Sequence, residues 1–176
     1  MKVNLSKVLK DHWNTLRDMG EEKVSYFDVF CFYVVPFFLG VLAFVAEIEF
    51  SQDVFSVSIS IFAIFSALLL SVQVSMYGVF RSARKEHNDP VLCASDKVKE
   101  NNIRILLKEI NSNVSYLIFV SCFSVSIFLM FFASSVLARF EASISIFLYV
   151  HFLLTAAMVL KRAHEVFDAE YSDPIS

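Results

Sequence analysis

The sequence predicts an all-α integral membrane protein with four transmembrane helices and helical extensions on the cytoplasmic side. Three observations carry that prediction. Four apolar runs occupy residues 29–46, 54–80, 114–138 and 142–160. Each has about the 17–25 residues that a helix needs to cross a hydrocarbon core, and each is apolar nearly all round instead of along one stripe. The cations are segregated. Lys2, Lys7, Lys10, Arg17 and Lys23 precede the first run, and Lys161 and Arg162 follow the last. Arg81, Arg84, Lys85, Lys97, Lys99, Arg104 and Lys108 lie between the second and third, and only Arg139 falls on the other side. Short segments rich in Lys and Arg stay cytoplasmic, so both termini are expected inside. Finally, no Pro or Gly interrupts the chain between Val91 and Asp173, which favours long continuous helices.

The elements follow in order. Residues 1–28 form a cytoplasmic amphipathic segment without the early apolar region of a cleaved signal peptide. Leu5, Val8, Leu9, Trp13, Leu16 and Met19 recur at helical spacing, and Gly20 supplies a stop. This helix is expected either flat among the headgroups with Trp13 at the interface, or against the cytoplasmic loop. Pro36 and Gly40 predict an irregularity in the first span, shaping its packing or serving a gate. The second run covers about 40 Å at ~1.5 Å per residue, against a core of about 30 Å. It must tilt or project, with no helix breaker before Asn88-Asp89-Pro90. Within the cytoplasmic loop 81–113, Ser95-Asp96 can cap a helix whose apolar face holds Val98, Ile103, Leu106, Leu107 and Ile110. That helix is expected to continue into the third span, from about Ser95 to Ser135. The fourth helix runs on into the C-terminal extension 161–176.

Composition excludes several function classes. The middle loop mixes its cations with Glu86, Asp89, Asp96, Glu100 and Glu109, which suits an anionic leaflet better than direct nucleic-acid contact. Cys31, Cys93 and Cys122 have unrelated spacings and suit neither a disulfide framework nor a zinc site. No metal-ligand cluster, phosphate-binding glycine loop or nucleophile–base pair is evident. We therefore expect no enzyme activity, catalytic residue, metal or cofactor. His12, His87 and His164 stand alone in polar segments and are expected to be solvated. The four apolar cores hold no carboxylate, which argues against many proton-coupled transporters.

Four groups of residues remain as candidates. Ser56, Ser60, Ala63, Ala67, Ser71, Ser75 and Gly78 make a seam of small residues on one face of the second span. Such a seam lets helices approach closely. Packing against the third span, which carries Ser115, Cys122, Ser126 and Ala133, is the preferred reading; a subunit interface or a polar pathway is the alternative. Phe and other large residues would then face lipid. Gln73 and His151 are the large polar groups inside the spans, at similar depth, and are expected to turn inward and are able to bond each other. The His gives either helix-to-helix glue or a titratable element. Glu47, Glu49 and Asp53 form an acidic outer loop, read as a hydrophilic turn or as a cation-attracting ring in an oligomer. Beyond the basic collar, Glu165, Asp168, Glu170 and Asp173 form an acidic tail suited to a basic partner surface.

The span count, size, inside termini and the membrane-overrunning stretch Leu160-Lys161-Arg162-Ala163-His164-Glu165-Val166-Phe167 resemble small four-span membrane subunits of bacterial anti-phage systems, of the Kiwa type. The layout is also similar to membrane effectors associated with retrons or cyclic-oligonucleotide signalling. The resemblance implies a homo-oligomer in the bacterial inner membrane that senses membrane perturbation or permeabilises the bilayer, with a cytoplasmic protein partner. It transfers no functional residue. The sequence-level expectation is a non-enzymatic scaffold or sensor in the lipid bilayer. The alternatives are an oligomeric pore that depolarises the membrane, and a small-solute transporter.

Overall fold

The computed structural model describes residues 5–16, 26–82, 90–134 and 137–171. All regular structure among them is helical. A short helix, α1 (Leu5–Thr15), precedes four long ones: α2 (Tyr26–Val45), α3 (Gln52–Ser82), α4 (Pro90–Ala133) and α5 (Ala138–Tyr171). Each of the four contains a stretch long and apolar enough to cross a bilayer. The chain is an all-α integral membrane protein.

Local sequence explains the helix limits. Pro90 opens α4, where a missing N–H costs nothing. With no breaker after it, α4 runs for 44 residues, about 66 Å at ~1.5 Å per residue and roughly twice the hydrocarbon core. Its apolar stretch begins near Ile103, so the first part of the helix projects from the membrane. α5 likewise continues through Lys161 and Arg162 to Tyr171. The extension expected beyond Ser82 lies outside the described residues. In α2 the turn before Pro36 is π-helical, Phe30–Val34, and the Val35 N–H donates to Phe30 O. α2 then ends in a Schellman turn. Glu47 N–H donates to Phe44 O at 3.3 Å and Ile48 N–H to Ala43 O at 3.1 Å. Glu47 itself has φ 49°, the left-handed position usually given to Gly. Two of the three acidic outer residues thus belong to helix termini, Glu47 here and Asp53 in the first turn of α3.

The helices pair as α2 with α5 and α3 with α4, and α4 and α5 join the pairs. The core is aromatic. Phe62 of α3 lies 5.5 Å from Phe128, 5.3 Å from Tyr149 and 5.1 Å from Phe152, centroid to centroid. Tilted and edge-on rings at these separations add to area burial. Phe55, Tyr116, Leu117, Val120, Phe131 and Leu148 complete the cluster. α2 meets α5 at a close backbone approach. Gly40 O accepts from Ser143 Oγ at 2.7 Å, and a Cβ on Gly40 would come to 3.0 Å from Ser143 O.

The second span corrects the expected packing. All seven seam residues, from Ser56 to Gly78, are exposed. The inward face of α3 carries Phe55, Ser58 and Phe62, with Ser66 and Gln73 half-buried. The seam therefore does not pack α3 against α4, and two of the large Phe residues expected to face lipid point into the core. Aromatic rings fill the wide gap among three helices, which small side chains would leave void. The seam hydroxyls bond back to their own helix: Ser60 to Ser56 O, Ser71 to Ala67 O and Ser75 to Ser71 O, at 3.2, 3.1 and 2.9 Å.

Candidate functional site: a polar cluster beneath the first helix

α1 presents only part of its apolar stripe to the protein. Leu5, Leu9 and Trp13 are exposed, while Val8 is half-buried and His12, Thr15 and Leu16 are buried. The helix thus lies against the cytoplasmic-loop residues that open α4, as one of the two expected placements had it, and only the expectation that His12 is solvated is corrected. The inward positions 8, 12, 15 and 16 share a helical face, and α1 lays that face on α4.

The contact is polar at its centre. His12 Nδ1 lies 2.8 Å from Asn113 Oδ1, an acceptor, so Nδ1 carries the proton. Thr15 Oγ1 sits 2.6 Å from His12 O and 2.7 Å from Asn113 Oδ1, and its single proton serves one of them at a time. The His12 ring stacks on Tyr116 at 3.7 Å, with the planes 4° apart. His12 Nε2 and Asn113 Nδ2 are buried and have no hydrogen-bond partner among the described residues. Burial holds the His12 pKa down at about 4, helped by the positive Arg162 and by His151, and opposed by the Asn113 bond. His12 is therefore neutral at pH 7.

Arg162 of α5 ties down the end of α1. Its guanidinium pairs with Glu109 at 2.9 Å and also donates to Thr15 O. An arginine on the last carbonyls of a helix satisfies groups that the helix cannot.

A second layer lies deeper. Tyr116 OH and His151 Nε2 are 2.7 Å apart, and His151 Nδ1 is 2.8 Å from Phe32 O. The carbonyl can only accept, so Nδ1 holds the proton and Tyr116 OH donates to Nε2. Pro36 explains why Phe32 O is available. In an α-helix the N–H four residues on would occupy it, and Pro36 has none. The Tyr33 ring lies 5.2 Å from that of His151. Trp13 reaches Tyr33 from α1, 5.7 Å between centroids.

The sequence candidates divide. His151 is buried, as expected for an inward polar group, but its partners are Tyr116 and Phe32, and no bond to Gln73 forms. Gln73 instead donates to Ser115 at 2.8 Å and Asn111 at 3.3 Å. Gln73 of α3 and His151 of α5 turn to different partners, and equal depth does not make equal azimuth. At the other end of the bundle, Glu47 and Glu49 join Arg139 and Glu141 around a cavity of about 420 Å³. Arg139 lies 5.0 Å above the Phe44 ring. On the tail, Glu165 lies 3.9 Å from Lys161 and Asp168 lies 3.5 Å from His164, all exposed. The side chain of Glu170, and Asp173 and His87 altogether, fall outside the described residues. Sequence reasoning missed Asn113 and Tyr116. The signal was the polar cluster Asn111, Ser112, Asn113, Ser115 and Tyr116 at the mouth of an apolar run.

Among the described residues, no group of three or more His, Cys, Asp or Glu could hold a metal ion. Comparison with protein families, curated proteins and solved structures finds no match for this chain.

Proposed function

We propose that the chain is a non-enzymatic, oligomeric membrane scaffold or sensor that recruits a soluble cytoplasmic protein. The observation that carries this reading is the one-sided overrun of the helices. α4 and α5 extend well past a bilayer at the cation-rich end, while the opposite end has short connections, residues 46–51 and 134–137. Surface for a soluble partner is concentrated at the cation-rich end. The positive-inside pattern makes that end cytoplasmic. α1 supplies the sensing element. It is held by a few polar contacts to α4 and α5, so a change in helix spacing is felt there first. The acidic tail, including Glu165 and Asp168, suits a basic patch on the partner. Copies assemble through the exposed α3 seam, where small residues permit close helix approach without burying unpaired hydroxyls. In keeping with the architectural resemblance, the proposed setting is anti-phage defence at the bacterial inner membrane.

A second reading, an oligomeric pore, draws on the same seam, because serines on an outward face would line any channel between copies. Two measurements separate the readings. The full chain in liposomes should show no ion efflux above that of empty vesicles; rapid efflux would replace the scaffold with the pore. In its native host, deleting Ala169–Ser176 should leave insertion and assembly intact and reduce recovery of the co-purifying partner. Equal recovery would remove the tail from recruitment.

A further inference from the structure

A cavity of about 590 Å³ opens at the cation-rich end of the bundle, where α2, α4 and α5 converge. Its wall is apolar, with Cys31 and Phe32 from α2, Leu106 from α4, and Leu154 and Met158 from α5. Its rim is charged, with Asp28, Glu109, Lys161, Arg162 and Glu165. The wall residues of α2 and α5 belong to apolar spanning stretches, and the rim begins where those stretches end. This is the depth at which a phospholipid changes from acyl chain to headgroup.

The rim also selects among headgroups. Three carboxylates face two cations, and one of the cations is already engaged. Arg162 bridges Glu109 and Thr15 O and its side chain is only 14% exposed. Lys161 and Glu165 are different. They are 3.9 Å apart, with side chains 79% and 46% exposed. A loose, solvated pair of this kind contributes little by itself, so a ligand can divide it at little cost. A headgroup that brings a phosphate to Lys161 and an ammonium to Glu165 matches both charges at once. A purely anionic headgroup would meet the carboxylate excess. A quaternary ammonium would match the charge but has no N–H to donate.

We infer that this cavity binds one membrane phospholipid carrying a primary-amine headgroup, with its phosphate on Lys161, its ammonium on Glu165 and an acyl chain along Phe32, Leu154 and Met158. Glu165 is shared with the acidic tail of the proposed recruitment surface, but lipid binding by the chain alone does not depend on whether it recruits a soluble protein.

The test uses the full-length chain in detergent, titrated separately with phosphatidylethanolamine, phosphatidylcholine and phosphatidylglycerol of identical acyl chains and followed by native mass spectrometry. The ethanolamine lipid should bind saturably, one per chain. Its affinity should exceed the other two by about tenfold, the worth of one charge-assisted hydrogen bond. Glu165→Gln, at an exposed position that leaves folding intact, should bring ethanolamine and choline lipids to parity. Lys161→Gln should weaken both alike, and Ala157→Phe, which fills the cavity, should abolish saturable binding. Equal affinity for all three lipids, or tightest binding of the glycerol lipid, would overturn the assignment. So would an ethanolamine preference that survives Glu165→Gln or Ala157→Phe, because the lipid would then sit elsewhere.

Discussion

α3 and α4 are both long, serine-bearing spanning helices, and they treat their small polar residues in opposite ways. In the most apolar stretch of α4, 39% of residues are buried, against 17% in α3. Ser121 and Ser124 of α4 are fully buried within the bundle. Ser60, Ser71 and Ser75 of α3 are exposed and bond their own backbone. α4 is the helix on which the fold of one chain depends. α3 offers a prepared face to something outside it. A small residue in a membrane helix therefore marks close approach without saying to whom.

Acidification should separate the two helices most sharply. α4 holds α1 through neutral His12, whose pKa falls from 6.5 to about 4 on burial. An undocked α1 takes up its proton near 6.5, and the docked helix resists until about 4. The docking free energy that depends on neutral His12 is thus complete above pH 6.5 and lost as pH falls toward 4, about 3 kcal/mol in all. Hydrogen exchange of α1 amides, corrected for intrinsic rates, should accelerate between pH 7.5 and 5. The His12→Phe variant should be flat, and assembly through α3, which has no titratable group on its seam, should not change. Wild-type exchange that ignores pH would remove His12 as the lock.

Enlarging one small residue on each helix comes next. Ser124→Leu should overpack the interior and cost about 1–3 kcal/mol, seen as a lower thermal midpoint of the monomer. Ser71→Leu should leave that midpoint in place and reduce the assembled fraction by native mass measurement. If Ser71→Leu also destabilised the monomer, the outward placement of the seam would be wrong.

The glycines repeat the contrast at smaller scale. Gly40→Ala puts a Cβ at 3.0 Å from a backbone oxygen of Ser143. It should cost about 1 kcal/mol or more, because neither main chain yields easily. Gly78→Ala meets nothing within 4 Å and should be neutral or slightly stabilising in the monomer. Equal effects on thermal unfolding would break the comparison. The smallest effect is expected at the turn joining α2 to α3. Glu47→Gly relieves a left-handed backbone at φ 49° and should raise stability by at most about 1 kcal/mol. A loss would show that the carboxylate contributes more than its conformation costs.

The contrast also explains what could be read in the chain. Four spans were legible because length and apolarity are properties of a segment alone. The segregation of cations was equally legible, as a pattern. The direction each face points was not. The α3 seam and the Phe55–Phe62 face have the same helical period, and only the volume to be filled among α3, α4 and α5 decides which turns inward. His12 looked solvated because its neighbours are Lys10, Asp11 and Asn14, and its true partner, Asn113, lies 101 residues away. The irregularity at Pro36 was legible. That its orphaned carbonyl would be answered from α5 was not.

That carbonyl has a consequence for how the protein is made. Phe32 O and His151 are 119 residues apart, and the Gly40–Ser143 and His12–Asn113 contacts span 103 and 101. The first span leaves the ribosome with an unanswered acceptor and a bare glycine face, and both wait for the last span to be inserted. Until then α2 lacks the one helix it packs against, while α1 already has its partners on α4. Biogenesis thus ends with a closure step: the final helix locks the first span, and a product cut short before α5 would leave that span open to membrane quality control.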